Sequence, residues 1–444
     1  MNVKASLALV AALAAANSLV AQEAQPSGQV PAEAAEELNK VVATQAPASA
    51  KGLVDEDIDA YCREAGIVLG YVKGKDAFYI KGVERVLANV KSPNFVKSRS
   101  LAYAKAYQNA VADYVMLKYG TTTAEQYNTL FTDASSDRLE PSSDVKGTLA
   151  RLLEKTAQLA EAKLDEGLRK MGVTPAGSVT EKRNLMKNAI VRRSMNRAVG
   201  SSAGLLPVQT FEGWTEKGQY AVGVVVRGGV DTELLAQAFR TKQRPLLSRP
   251  AAGLTVEEAL PEGAALASQF GVRMFFDKSG TPTLMSFGQW GSSYAGENED
   301  MAEAALDHAR EQAVSEADDN LTMFINSTLS MAKESERSED ASQDVSFDEN
   351  GVPSLADVVK YVDRSLKSSE MHGSDTMRGR VTAGGFPKVI KHRSGHKVAV
   401  CVRIWSFDQY DAMSRTPQPA AKKAKGPSVR TGDRGVSRGK SYDF

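Results

Sequence analysis

The chain has 444 residues, 42% of them hydrophobic, enough for two or three domains with real cores. Its formal net charge is +1, so the chain as a whole has no electrostatic pull toward nucleic acid or an anionic membrane; any such pull must be local. It contains no phosphate-binding glycine loop, dinucleotide fingerprint, Cys-based metal pair or helical zinc-protease motif.

At the N-terminus Lys4 precedes an apolar run over residues 5–16, and small residues follow to Ala21. This is the pattern of a secretory signal peptide, with residues 1–21 removed. Asn17 and Ser18 cut the run short of the ~20 apolar residues a spanning helix needs. No Cys lies at the cut, so lipidation is excluded, and no later segment reaches spanning length. The expectation is an exported protein, periplasmic or secreted, peripheral to an outer membrane. Residues 22–52, rich in Ala, Gln, Pro and Glu, read as a disordered linker.

Residues 53–228 read as one α+β unit. A short helix carries Cys62 and ends at Gly66, and two extended runs follow around a Lys-Gly-Lys turn. Next come a helix over 98–119 with Ala102, Ala106 and Ala110 at four-residue spacing, helices over 144–171 and 180–199, and a hairpin over 204–227. Residues 229–262, Pro-rich and aperiodic, read as a connector. From 263 to 413 the order returns. A short helix ends at Gly271, two extended runs flank residues 278–280, and a helix over 300–331 carries Ala305, Ala309 and Ala313. An acidic loop over 333–350, a helix over 354–367 and a hairpin over 384–405 complete it. Gly66 pairs with Gly271, Gly204 with Gly384, Pro207 with Pro387, and Gly218 with Gly395.

The expected fold class is therefore α+β with two tandem repeats. Each is a small antiparallel or mixed sheet of about four strands, packed by Ala-rich and amphipathic helices on one face. The runs "YAVGVVV" and "KVAVCVRIW" read as central strands covered on both sides. Cys62 and Cys401 read as buried small hydrophobes rather than as a disulfide.

Residues 414–444 read as a disordered basic tail: from Arg415 onward eight Lys or Arg stand against Asp433 and Asp443, a local charge of +6. Lys422, Lys423, Lys425, Arg430, Arg434, Arg438 and Lys440 are the expected contacts to an anionic envelope partner, such as lipid head groups, polysaccharide or an acidic protein. Aromatic residues are not interleaved with them, so nucleic acid is not an expected partner.

Two serines sit in nucleophile-like contexts. Ser202 in "GSSAG" fits G-x-S-x-G, but a helix precedes it and a strand follows, the reverse of a nucleophile elbow. Ser293 in "GSSYA" has the strand-to-helix order but lacks the closing glycine. Both read as loop serines, and no catalytic residue is assigned. His392 and His396 flank a turn with His372 nearby, a weak zinc or copper constellation without a fourth ligand at suitable spacing. No cofactor is expected.

With its signal peptide, Ala-striped helix and closing "VAVCVRIW" strand, each unit resembles exported bacterial domains found in outer-membrane-associated lipoproteins and in flagellar or curli assembly factors. It is also similar in outline to exported envelope proteins with a domain of unknown function. The resemblance implies a non-enzymatic envelope binding or assembly module, and it transfers no functional residue. Two alternatives stand beside it: a hydrolase of envelope polymer with its site between the repeats, and a periplasmic metal-binding protein.

Overall fold

Ser49 caps the first helix by accepting the Gly52 N–H at 3.0 Å, so α1 (Ala50–Glu64) begins three residues before the expected start of structure. The computed structural model describes residues 49–72, 77–131, 138–142, 144–202, 204–241, 243, 253–292, 294, 296–334, 345–368 and 380–415. The leader, nearly all of the linker, the basic tail beyond Arg415, Ser293 and His372 lie outside the described residues.

After α1 come β1 (Gly70–Val72), β2 (Ala77–Val86), α2 (Phe95–Leu130), α3 (Val145–Gln158), α4 (Glu161–Lys170), α5 (Val179–Ser201), β3 (Leu206–Trp214) and β4 (Tyr220–Gly229). The strands form an antiparallel sheet in the order β1-β2-β4-β3. Then follow α6 (Val230–Thr241), α7 (Val256–Ala259), a 3-10 helix (Gly263–Ser268), β5 (Gly271–Phe276), β6 (Pro282–Gly291), α8 (Glu299–Glu334), α9 (Leu355–Ser368), β7 (Val381–Thr382), β8 (Lys388–Lys391), β9 (Lys397–Ser406) and α10 (Phe407–Arg415). Their strands form a second antiparallel sheet, β5-β6-β9-β7, with β8 also on β9. The architecture is mixed α+β with antiparallel sheets.

The two apolar runs are the central strands β4 and β9, and nearly every residue of each is buried. Alternate side chains of β4 enter different cores: Ala221 and Val225 meet α1, whereas Val222, Val224 and Val226 join the larger core around α2. Helices thus cover both faces of the first sheet, a difference from the one-sided packing expected. The sequence signal for it is an uninterrupted apolar strand, which needs cover on each side.

One glycine in each sheet permits a long helix to lie against it. A Cβ on Gly82 of β2 would stand 2.0 Å from the Ala106 carbonyl oxygen and 3.2 Å from the Ala110 Cβ. On Gly288 of β6 it would stand 2.0 Å from the Ala313 carbonyl oxygen and 2.9 Å from the Ala317 Cβ. The alanine stripes therefore correspond with a shift of one turn from their sequence match, since Ala309, Ala313 and Ala317 are the buried set in α8. Gly66 and Gly271 share a left-handed backbone, φ 63 and 64°, and Gly218 and Gly395 do so at 77 and 91°. In the second hairpin the left-handed residue is Gly385, one position after the Gly384 paired with Gly204.

Other differences have local causes. Helix α2 runs on to Leu130 although the hydroxyls of Thr123 and Thr129 return to the carbonyls of Tyr119 and Glu125, bonds that compete with the helical ladder. Tyr119 and Tyr127 are meanwhile buried in the core, so packing overrides the weak helix propensity of the threonine run. The helix expected over 144–171 divides into α3 and α4 because Leu159 and Ala160 are extended, with ψ 134 and 150°. Within the stretch read as a connector, α6 places Leu235 and Ala238 in a core with Val272, Leu284 and Trp405. Cys62 and Cys401 are buried, unbonded thiols, and burial pushes Cys401 up to about 11.

Replacing Gly288 by Val is expected to lower stability by ~2–4 kcal/mol, because the new side chain meets rigid helix backbone. Gly384→Ala, with nothing within 4 Å, is the neutral control. Urea melts of the two variants check this.

Candidate functional site

Arg99 lies in the second turn of α2, one turn after Phe95, and is completely buried. Glu212 is the seventh residue of β3, and its side chain is likewise fully buried. Arg99 Nε and Nη2 donate to Glu212 Oε1 at 2.7 and 2.5 Å. The guanidinium also reaches the Ala267 carbonyl at 2.8 Å and Gln289 Oε1 at 3.4 Å. Glu212 Oε2 accepts from Ser268 Oγ at 2.7 Å and meets His392 Nε2 at 3.1 Å, and Arg393 donates to the Glu212 carbonyl at 2.7 Å. Arg393 lies over the Trp214 ring at 4.4 Å and closes the cluster from outside.

The tautomer of His392 follows from its neighbours. The Ser394 backbone N–H can only donate, and it points at His392 Nδ1 at 3.1 Å. Nδ1 therefore accepts, Nε2 carries the proton, and that proton goes to Glu212. Burial lowers the His392 pKa, and the Arg99 and Arg393 charges lower it further, so the ring is neutral at pH 7. Burial alone would raise the Glu212 pKa, but Arg99, His392 and Ser268 outweigh it and hold the carboxyl at about 2.

His392 and His396 do not converge. His396 stacks on Phe95, with centroids 5.3 Å apart, and its Nε2 meets the Val90 carbonyl, while His392 is engaged with Glu212. Among the described residues no group of three His, Cys, Asp or Glu stands in metal-holding geometry. Ser202 caps the C-terminus of α5, its hydroxyl donating to the Val199 carbonyl at 2.6 Å, in keeping with a loop serine.

Beside the ion pair a cleft of about 480 Å³ lies between α2 and α8. Tyr103 and Tyr107 of α2, Phe270, Trp290 and Phe324 give it an aromatic lining. Tyr103 is stacked on Phe270, with centroids 5.2 Å apart. Gly271 is doubly fixed here, by its positive φ and because a Cβ would strike the Tyr103 hydroxyl at 2.1 Å. Glu316 stands in the α8 wall and accepts the Gln289 N–H at 3.0 Å. Burial pushes its pKa up to about 7 against the lowering effect of that bond and of Arg99. Gln289 thus links cleft and ion pair: its backbone binds Glu316 and its side chain binds Arg99.

Arg99, Glu212 and Glu316 were not legible as site residues. Glu212 sits in "TFEGW" as an ordinary polar residue of a strand, and its partners are 113 and 180 residues away in sequence.

A family described as a domain of unknown function (DUF6844) matches residues 149–243, a window from α3 to just past α6 that contains Glu212. Among curated proteins none matches the chain. A crystal structure of the hypothetical protein FTT1539c from Francisella tularensis is similar at 20% identity, covering 88% of this chain and 96% of that one, with a TM-score of 0.49. A likeness that distant carries no argument here.

Arg99→Met leaves Glu212 buried without its main counter-charge and is expected to cost ~3–5 kcal/mol in urea melts. For pH, the folded Glu212 pKa of about 2 lies below the ~4.3 of an unfolded Glu. Its stabilisation is thus complete above about pH 4.3 and lost as pH falls toward 2. His392 has the same sign: its contribution is present above ~6.5, the unfolded value, and fades below it. Glu316, held up to about 7, has the opposite sign and adds stability as pH falls from 7 toward ~4.3, so the His392 loss is read as the difference between the pH profiles of the parent and His392→Gln, while both should lose stability below ~4.3 as Glu212 protonates.

Proposed function

We propose that the chain is an exported binding module of the bacterial envelope, built from a duplicated α+β unit, with its recognition cleft between α2 and α8. The observation that carries the reading is the cleft: an aromatic and apolar surface from Tyr103, Tyr107, Phe270, Trp290 and Phe324, with charged groups such as Lys97, Lys105, Glu316 and Asp319 among the lining residues, is the lining of a ligand site. The suitable ligand has an apolar body and a hydrogen-bond donor or cation directed at Glu316. Duplication is supported by the two glycine-to-helix approaches, Gly82 on Ala106 and Gly288 on Ala313, at the same place in the same strand order. The leader supports export, and the basic tail supplies attachment to anionic lipid head groups, polysaccharide or an acidic protein.

The cleft is tested through Leu101, which lines it and is 59% exposed, so Leu101→Asp is compatible with folding. Native mass spectrometry of protein recovered from its producing cells should show a small molecule that Leu101→Asp loses. Retention by the variant would sink the cleft reading. The tail is tested with vesicles containing phosphatidylglycerol: binding should disappear at high salt and on removal of residues 415–444.

A hydrolase of envelope polymer is the second reading, and Glu316 favours it, because a carboxyl at about 7 is poised to give and take a proton near neutrality. If so, Glu316→Gln should abolish turnover of peptidoglycan, whereas in a binding module it should only flatten the change in ligand affinity across pH 7.

A further inference from the structure

Strands β3 and β5 pack side by side, and residues of both line a second cavity, of about 680 Å³. Leu206, Met274, Phe275, Phe276 and Met285 give it apolar walls. Arg273 of β5 also lines it. Its Nη2 donates to Gln209 Oε1 at 3.2 Å and Thr210 Oγ1 at 3.4 Å, while Nε is enclosed with no acceptor. Nη1 has no acceptor among the described residues either, which leaves it as the edge that can meet an anion.

Among the described residues the charge count around the cavity is unbalanced. Its other charged groups are already paired: Arg227 with Asp231 at 2.6 Å, and Glu258 with Lys278 at 2.7 Å. The ionisable groups that act on Arg273 are the phenols of Tyr103 and Tyr61, both neutral at pH 7 because burial raises their pKa values. Burial lowers Arg273 itself only to about 10, so it remains a cation at neutral pH. A cation held in an apolar enclosure without a counter-charge is unfavourable, and a bound anion relieves it.

We propose that this cavity binds a small amphipathic monocarboxylate, with its carboxylate on the Nη1 edge of Arg273 and its apolar body against Phe275 and Met285, which share the face of the sheet that carries Arg273. One unpaired positive charge calls for one negative charge; a dianion would leave an excess beside Asp231 and Glu258. The guanidinium edge suits a planar carboxylate, and the apolar walls exclude a bare hydrophilic anion. This site is separate from the cleft of the proposed function and does not rest on it.

The probe is dodecanoate, titrated below its micellar concentration into the full chain at neutral pH by calorimetry, with dodecyltrimethylammonium and acetate as comparisons. Dodecanoate should bind with saturation and the other two should not. Arg273→Met should weaken it about tenfold or more without lowering the melting temperature, since it removes an uncompensated charge. Arg273→Lys, which keeps the charge, should retain the preference for the anion if the methionine variant does not fold. Leu101→Asp should leave dodecanoate binding unchanged, which separates this site from the cleft. Equal binding of the cationic amphiphile, or undiminished binding by Arg273→Met, overturns the proposal. So does a loss of binding in Leu101→Asp.

Discussion

The Arg99–Glu212 pair takes one residue from α2 and one from β3, and the groups that complete it come from the other half of the chain. Ser268, Gln289, His392 and Arg393 supply the remaining donors and acceptors, and Ala267 supplies a carbonyl. Two charges removed from water are tolerable only when their hydrogen-bonding positions are filled, so the pair depends on both sheets being in place. The placement of β6 and of the β8–β9 turn against β3 is therefore tied to the protonation of a single carboxylate.

Around that pair the packing is set by small residues. Gly82 and Gly288 let α2 and α8 lie with backbone almost in contact with a strand, and the alanines at four-residue spacing complete the approach. Such close helices leave little depth for side chains on those faces. The cleft and the second cavity instead open where the sheets meet, around Phe270, Pro207 and Arg273. The sites thus lie at the seam between the two halves.

The cleft and the ion pair are also linked by one residue. Gln289 donates its backbone N–H to Glu316 and offers its amide oxygen to Arg99, so a change in the charge of Glu316 is felt one hydrogen bond away from the buried pair. A carboxyl near 7 and one near 2 stand within one short network, their environments pushing them apart: at Glu316 burial outweighs the Gln289 bond and the Arg99 charge, and at Glu212 the contacts with Arg99, His392 and Ser268 outweigh burial.

The sequence by itself determined the elements whose cause is local. The glycines at Gly66 and Gly271 mark the same left-handed turn, the apolar runs of β4 and β9 are central strands, and the alanine spacing marks the two helices that lie on sheets. Each of these follows from a φ angle, a two-residue period or a four-residue period within a short window. The continuation of α2 through its threonines, the division at Leu159 and the packing role of α6 were decided by tertiary contacts that outweighed local preference. The site residues belong wholly to that second class. Whether a glutamate or an arginine is a surface charge or a buried partner depends on what the fold brings to it, and for Arg99, Glu212, Arg273 and Glu316 the deciding neighbours come from strands, helices and turns far away in the chain.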